Sequence, residues 1–288
     1  MIIDSHVHYS LRSYDAEAFP YLDYANGTLT LAHGDRAALL QSMKARGIAL
    51  CIEPSTGFDR IEAQLALAPE YYPYIRLALG VHPKRCAATP WSSRKQLRRY
   101  VLENDVVAIG ETGLDYHLPP AQCHRFRQKM WFCYQLRLAH ERKLPLILHV
   151  READDDALRI LTRYRRLLHG GVAHCFGGNT RCAQAYINLG FAIGIGARLL
   201  QESNGGELLR QTVRELPLHA MLAETDAPYV LPPLPALFCS ASKRKKLRNS
   251  SLILPAVIER IALLKGESTA AVEQALYENT LRVFHLHA

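Results

Sequence analysis

Short apolar runs, each ending in a polar or glycine-rich turn and followed by a stretch with helical periodicity, recur along this chain. The runs are Ile2 to Val7, Ala49 to Glu53, Ile75 to Val81, Val106 to Gly110, Leu144 to Leu148, Gly171 to Ala173, Phe191 to Ile195 and Met221 to Ala223. Helices are predicted between them over Asp35 to Arg46, Asp59 to Ala68, Ser92 to Glu103, Gln122 to Arg142, Glu152 to Leu168, Thr180 to Leu189, Gly206 to Glu215 and Leu252 to Leu264, with a last amphipathic stretch from Ser268 to Phe284. Strand followed by helix, with strands apolar almost throughout, predicts an α/β chain folded as a closed parallel (β/α)8 TIM barrel. An open doubly wound sheet competes, but no Gly-x-Gly-x-x-Gly follows the first strand, and the polar residues of interest end many strands rather than lining one crevice. No linker breaks the series, so residues 1–288 are expected to form a single domain. Any site should lie at the C-terminal face of the strands. Two segments exceed ordinary connections: Tyr9 to Gly34, with Tyr14, Tyr21 and Tyr24, and Pro228 to Arg248. Both belong to that face, where tyrosines either stack on bases or pack a loop onto the scaffold.

Composition narrows the class. Of 288 residues, 49% are apolar and 22% charged, and no run approaches the roughly 18 uninterrupted apolar residues of a membrane helix. Met1-Ile2-Ile3-Asp4-Ser5-His6 has no basic leader before an apolar stretch, so a soluble, cytoplasmic protein is expected. Seven scattered cysteines without a C-x-x-C pair point to reduced, mostly buried thiols. The net charge of +8 suits a polyanionic partner. Its densest patch is Lys243, Arg244, Lys245, Lys246 and Arg248; Arg159, Arg163, Arg165 and Arg166 are read as a solvated helix face.

Against that background, strand ends carry the candidate chemistry. His6 and His8, at i and i+2, turn both imidazoles to one side of the first strand and together can hold a cation. Glu111 follows Ile109-Gly110, and its two carboxylate oxygens can bridge two cations. His149 ends Leu146-Ile147-Leu148 and His174 ends Gly171-Val172-Ala173, a pair suited to a second cation. Asp226 closes the eighth strand, where it can bind the first cation and accept a proton from water. Glu224 shares its side of the strand as a supporting group, whereas Cys175, beside His174, points away and reads as a core residue. Two cations about 3.5–4 Å apart acidify water and stabilise a leaving oxygen, so phosphoester hydrolysis follows. The mixed donors accept Zn, Mn or Mg, with four imidazoles favouring zinc or manganese.

These residues, with Gly80-Val81-His82-Pro83, Glu111-Thr112-Gly113-Leu114-Asp115-Tyr116, Leu148-His149-Val150-Arg151, His174-Cys175-Phe176 and Glu224-Thr225-Asp226-Ala227-Pro228-Tyr229, make the chain resemble the TatD family of metal-dependent deoxyribonucleases over essentially its whole length. The resemblance implies a two-metal site on all six ligands, Glu111 bridging, Asp226 as base, and 3′-to-5′ trimming of DNA, with His82 at the rim against a substrate phosphate. Arg151 and the Lys243 to Arg248 cations join His82 as expected substrate contacts. The chain departs from the family pattern at His8-Tyr9-Ser10, followed by the enlarged loop, and at Arg248-Asn249-Ser250-Ser251, where the family commonly has Glu-Pro after Arg-Asn. RNA is a further substrate class. An amidohydrolase-type esterase or lactonase is the enzymatic alternative, but many of those use a strand-four lysine where this chain has Glu111. An active or a non-catalytic, specificity subunit of a nucleic-acid-processing or defence complex, with protein partners, is the other.

Overall fold

The computed structural model describes residues 1–119, 123–234 and 246–287. Its eight parallel strands are β1 (Ile2–Asp4), β4 (Ile48–Pro54), β5 (Ile75–Leu79), β6 (Val106–Asp115), β7 (Leu146–Arg151), β8 (Gly171–Ala173), β9 (Phe191–Ile195) and β10 (Met221–Ala223), adjacent in that order. The principal helices are α1 (Arg36–Ala45), α2 (Phe58–Tyr71), α3 (Arg94–Glu103), α4 (Arg125–Arg142), α5 (Asp154–Arg163), α6 (Thr180–Ile187), α7 (Asn204–Glu215), α8 (Leu254–Lys265) and α9 (Thr269–Val283). This is the (β/α)8 class read from the pattern, although among the described residues the strand ladder runs from β1 to β10 without closing, where a closed barrel was expected. Between the first and last strands the seam is carried by Ser5 N–H donating to the Ala223 carbonyl (3.0 Å) and by a parallel bridge between Val7 and Ala227.

By Cα proximity the chain divides into two compact units. The first contains Met1–Ile52, Cys175–Thr180 and Gly194–Thr280. In it β1 pairs with β4 in the register Ile2 with Ile48 and Asp4 with Cys51, over a core that includes Leu39, Met43, Val257 and Ile261. Asp35 caps α1, its carboxylate accepting from Ala38 N–H at 2.8 Å. The second contains Glu53–His174, Arg181–Ile193 and Leu281–Ala288, with Leu97, Trp131, Phe132, Ile147 and Val172 buried. There Gly171, at φ +142°, lets β7 and β8 close up, because a Cβ would stand 2.0 Å from the Leu146 carbonyl oxygen.

Two differences from the predicted elements matter. The Tyr9 to Gly34 segment holds an antiparallel hairpin, β2 (Phe19–Ala25) with β3 (Thr28–Gly34), turned by Asn26 and Gly27 at φ 52° and 75°. Asn-Gly with both residues left-handed is the type I′ hairpin signal, and it is present in the sequence. Its tyrosines serve as packing: Tyr9, Tyr14, Phe19 and Tyr21 form a chain of edge-to-face contacts and are all buried, which removes Tyr14 and Tyr21 as base-stacking residues. β6 also runs to Asp115 instead of ending at Gly110. Its register against β7 shifts between Ile109, opposite Leu146, and Thr112, opposite Leu148, so the strand bulges where Glu111 sits.

No helix among the described residues is long and apolar enough to cross a membrane. Of the described cysteines Cys51 and Cys86 are buried and four are half-buried, fewer buried than expected. All six are free thiols.

Candidate metal centre

The first unit places three ligand atoms together. His6 Nε2 lies 3.3 Å from His8 Nε2, and Asp226 Oδ1 is 3.7 Å from the former and 3.3 Å from the latter. That spacing suits a cation bound at about 2.0–2.2 Å to each. Backbone bonds fix it: His8 N–H donates to Ala227 O (2.8 Å) and Asp226 N–H to His6 O (2.9 Å). Asp226 is held at φ 55°, a left-handed conformation that re-aims its carboxylate after the strand ends.

Beneath these donors lies a buried polar network that the sequence did not announce. Asp4 Oδ2 accepts from Thr225 Oγ1 and Ser251 Oγ, each at 2.6 Å, and Oδ1 accepts from His6 N–H (3.2 Å) and Thr225 N–H (3.1 Å). Burial pushes the Asp4 carboxyl up to about 6, and these four hydrogen bonds draw it back toward the ionised form. Ser251 also meets the Tyr9 hydroxyl at 2.9 Å, and Asn249 Nδ2 donates to Thr225 O (3.0 Å). The Asn249-Ser250-Ser251 stretch, where the family pattern differs, therefore fastens the strand end that carries Asp226. Glu224 is buried and accepts from Cys175 N–H; Gly194 makes room, since a Cβ there would lie 2.2 Å from Glu224 Oε2. Burial first, then the charges of Asp226 and Glu224, pushes the Cys175 thiol up.

Within the second unit a single carboxylate oxygen is ringed by imidazoles. Glu111 Oε2 lies 3.3 Å from His82 Nε2, 3.6 Å from His149 Nδ1 and 3.9 Å from His174 Nε2. His149 Nδ1 and His174 Nε2 are 3.3 Å apart. On its other side His149 Nε2 meets Asp115 Oδ2 at 3.3 Å, which places a proton on Nε2 and leaves the Nδ1 lone pair for a cation. Burial raises the Asp115 carboxyl, but the His149 hydrogen bond, the His117 N–H and the nearby His149 and His82 imidazoles outweigh it and hold it below the usual range. Asp115, four residues from Glu111 on the same strand, is a site residue that period-two counting along β6 would have found.

His82 is tuned differently. Its Nδ1 accepts from Lys84 N–H at 2.9 Å, so its proton is on Nε2, facing Glu111. It is a hydrogen-bond donor to the carboxylate and not itself a ligand in that tautomer, although His82, Glu111 and His149 cluster closely enough to hold an ion. α4 braces these residues: Gln135 accepts from Val81 N–H (2.7 Å) and donates to Thr112 Oγ1 (2.8 Å). Gln128 pairs with both backbone groups of Asp115 (2.8 and 2.9 Å).

Among the expected substrate contacts, Arg151 is exposed at the end of β7 and Lys246 is exposed after the Pro228 loop. Arg248 is engaged otherwise. Its guanidinium covers the Phe19 ring at 4.4 Å and the Tyr14 ring at 5.6 Å and donates to the carbonyls of Lys246 and Ser13, which staples the hairpin. Lys243, Arg244 and Lys245 lie outside the described residues.

Known proteins are similar to this chain over most of its length. Residues 3–285 match the family model described as TatD related DNase. A protein named 3′-5′ ssDNA/RNA exonuclease TatD from Rahnella sp. (strain Y9602) is 32% identical over 259 residues, covering 88% of this chain and 94% of that one. The uncharacterized metal-dependent hydrolase YcfH of Escherichia coli (strain K12) is 31% identical over 287 residues, 100% of this chain and 97% of its own. The crystal structure of YJJV, a TatD homolog from Escherichia coli K12, superposes with a TM-score of 0.80 at 29% identity, covering 99% of this chain and 98% of that one. An uncharacterized amidohydrolase from Saccharomyces cerevisiae, 18% identical with a TM-score of 0.77 and covering 98% of this chain and 99% of that one, shares the fold. With a family match that spans the length of both units, the chain belongs to the TatD-related DNase family.

Proposed function

We propose that this chain, acting as one catalytic domain, is a cytoplasmic two-metal phosphodiesterase that trims single-stranded DNA from its 3′ end, with RNA as a second substrate. The observation that carries the reading is the setting of Glu111: one carboxylate oxygen faces the imidazoles of His149 and His174, and Asp115 orients the nearer ring for metal binding. The donors fit borderline divalent ions such as zinc or manganese, with magnesium less suited to so many imidazoles. His6, His8 and Asp226 would hold one cation, His149 and His174 the other, and Glu111 both. When bound, the pair supplies positive charge that acidifies water and neutralises the phosphoryl oxygens.

The residues divide the remaining work. Asp226, beside the His6 and His8 imidazoles, takes the proton of the attacking water. Glu111 fixes the distance between the donor groups, and His82 Nε2–H steadies that carboxylate or turns to a substrate phosphate. Cys175 N–H holds Glu224 behind the strand end that carries Asp226. Arg151 and Lys246, with Lys243, Arg244 and Lys245, supply phosphate contacts, whereas Arg248 contributes through the hairpin it pins. The names of the curated relatives support the nucleic-acid substrate.

A 5′-labelled single-stranded oligonucleotide incubated with the protein and Mn²⁺, Mg²⁺ or Zn²⁺ should yield a ladder shortening from the 3′ end. Intact DNA and RNA with every cation, alongside turnover of lactones or simple esters, would replace this reading with the amidohydrolase one.

A further inference from the structure

α4 starts soon after β6, and its first turn carries an exposure that packing does not explain. Phe126 is 75% exposed, more than any other large apolar side chain among the described residues. Its surroundings are built, not loose. Asp115, 3.3 Å from His149, has its backbone clamped by Gln128, which fixes the start of α4 against the end of β6. The next residue, Tyr116, carries the Arg125 guanidinium over its ring at 4.2 Å and donates its hydroxyl to Asp156 at 2.7 Å. Asp156 also holds Lys129 Nζ and Arg159 Nη1, each at 2.6 Å. Arg127 is tied to the carbonyls of Cys86 and Thr89 (3.2 and 2.9 Å).

Helical side chains lean toward the helix N-terminus, so Phe126 projects back toward the end of the strand bearing Glu111 and Asp115. Lys129, three residues on, shares its face, and no acidic residue occupies the first turn. An exposed aromatic ring next to Arg125 in sequence and one turn from Lys129 matches what single-stranded nucleic acid offers: an open base face flanked by phosphates. Duplex DNA offers no such face, because its bases stack on each other. Tyr14 and Tyr21, buried as they are, cannot take this role.

We propose that Phe126, beside the Arg125–Tyr116 pair and Lys129, is a stacking platform for a nucleobase of the substrate and makes the site selective for single strands. The inference rests on the nuclease reading above. With the Mn²⁺-loaded protein and single-stranded DNA, Phe126→Ala should raise KM about 10-fold while kcat stays within about twofold. An abasic oligonucleotide used as competitive inhibitor should keep its Ki in that variant. Phe126→Trp should restore KM, and its added indole fluorescence should be quenched by the oligonucleotide. An unchanged KM in Phe126→Ala, or an abasic Ki that shifts equally, overturns the platform. Wild-type turnover of bis(p-nitrophenyl) phosphate separates the failures: turnover with no Phe126 dependence on DNA sinks the platform alone, and no turnover of either substrate sinks the nuclease reading with it.

Discussion

In the first unit the donors His6 and His8 stand two residues apart on one extended segment, and a buried network around Asp4 ties that segment to the strand end bearing Asp226. In the second unit His82, Glu111, His149 and His174 come from four successive strand ends, and their focus is one carboxylate presented on a strand bulge. One cluster is pre-formed by local backbone geometry; the other depends on the mutual placement of several strands. Substitutions should therefore damage the second through metal binding and the first through chemistry or folding.

The largest effect is expected at Glu111. Glu111→Gln should lower kcat on DNA by more than about 10⁴-fold with little change in Tm of the metal-free protein, since the loss falls on charge and not on packing. Residual activity within tenfold of wild type would break the idea that both clusters depend on it. Asp226→Asn should cost about 10²–10⁴ in kcat, yet metal analysis should still find the cation of the second cluster. If both cations vanish, the clusters are not separable in this way. Asp115→Ala should weaken metal affinity by about 10–100-fold, read by titration with Zn²⁺ or Mn²⁺, because the His149 ring loses the partner that orients it. Ser251→Ala should leave metal content alone and destabilise the fold by about 1–3 kcal/mol, seen as a lower denaturant midpoint, since it removes a hydrogen bond from the buried Asp4 carboxylate. The smallest effect belongs to Arg248→Ala, about 0.5–1 kcal/mol from lost contact with Phe19; a large change in the salt dependence of DNA binding would instead return Arg248 to the phosphate-contacting set.

Legibility in the sequence followed the same division. His6-Val7-His8 could be read because period-two geometry alone puts both rings on one side, and His149 and His174 because each ends an unmistakable apolar run. Asp115 lies on the Glu111 side of β6 by period-two counting, but the apolar run stops near Gly110 while the strand continues to Asp115, so a strand read from the apolar run ends too early to include it. Ser251 was missed because its partner Asp4 lies 247 residues away, a relation that only tertiary structure creates. The hairpin differs, because Asn26-Gly27 signals it locally within a segment whose length alone suggests a loop. The apparent phosphate-binding role of Arg248 followed from its basic neighbours, whereas the Phe19 and Tyr14 rings it covers are more than 200 residues earlier in the chain.

Anomalous diffraction from crystals grown with Mn²⁺ addresses the central claim most directly. The account predicts two peaks about 3.5–4 Å apart, one on His6, His8 and Asp226, the other on His149 and His174, with a Glu111 oxygen on each. A single peak, or two peaks that Glu111 touches on one side only, would contradict it.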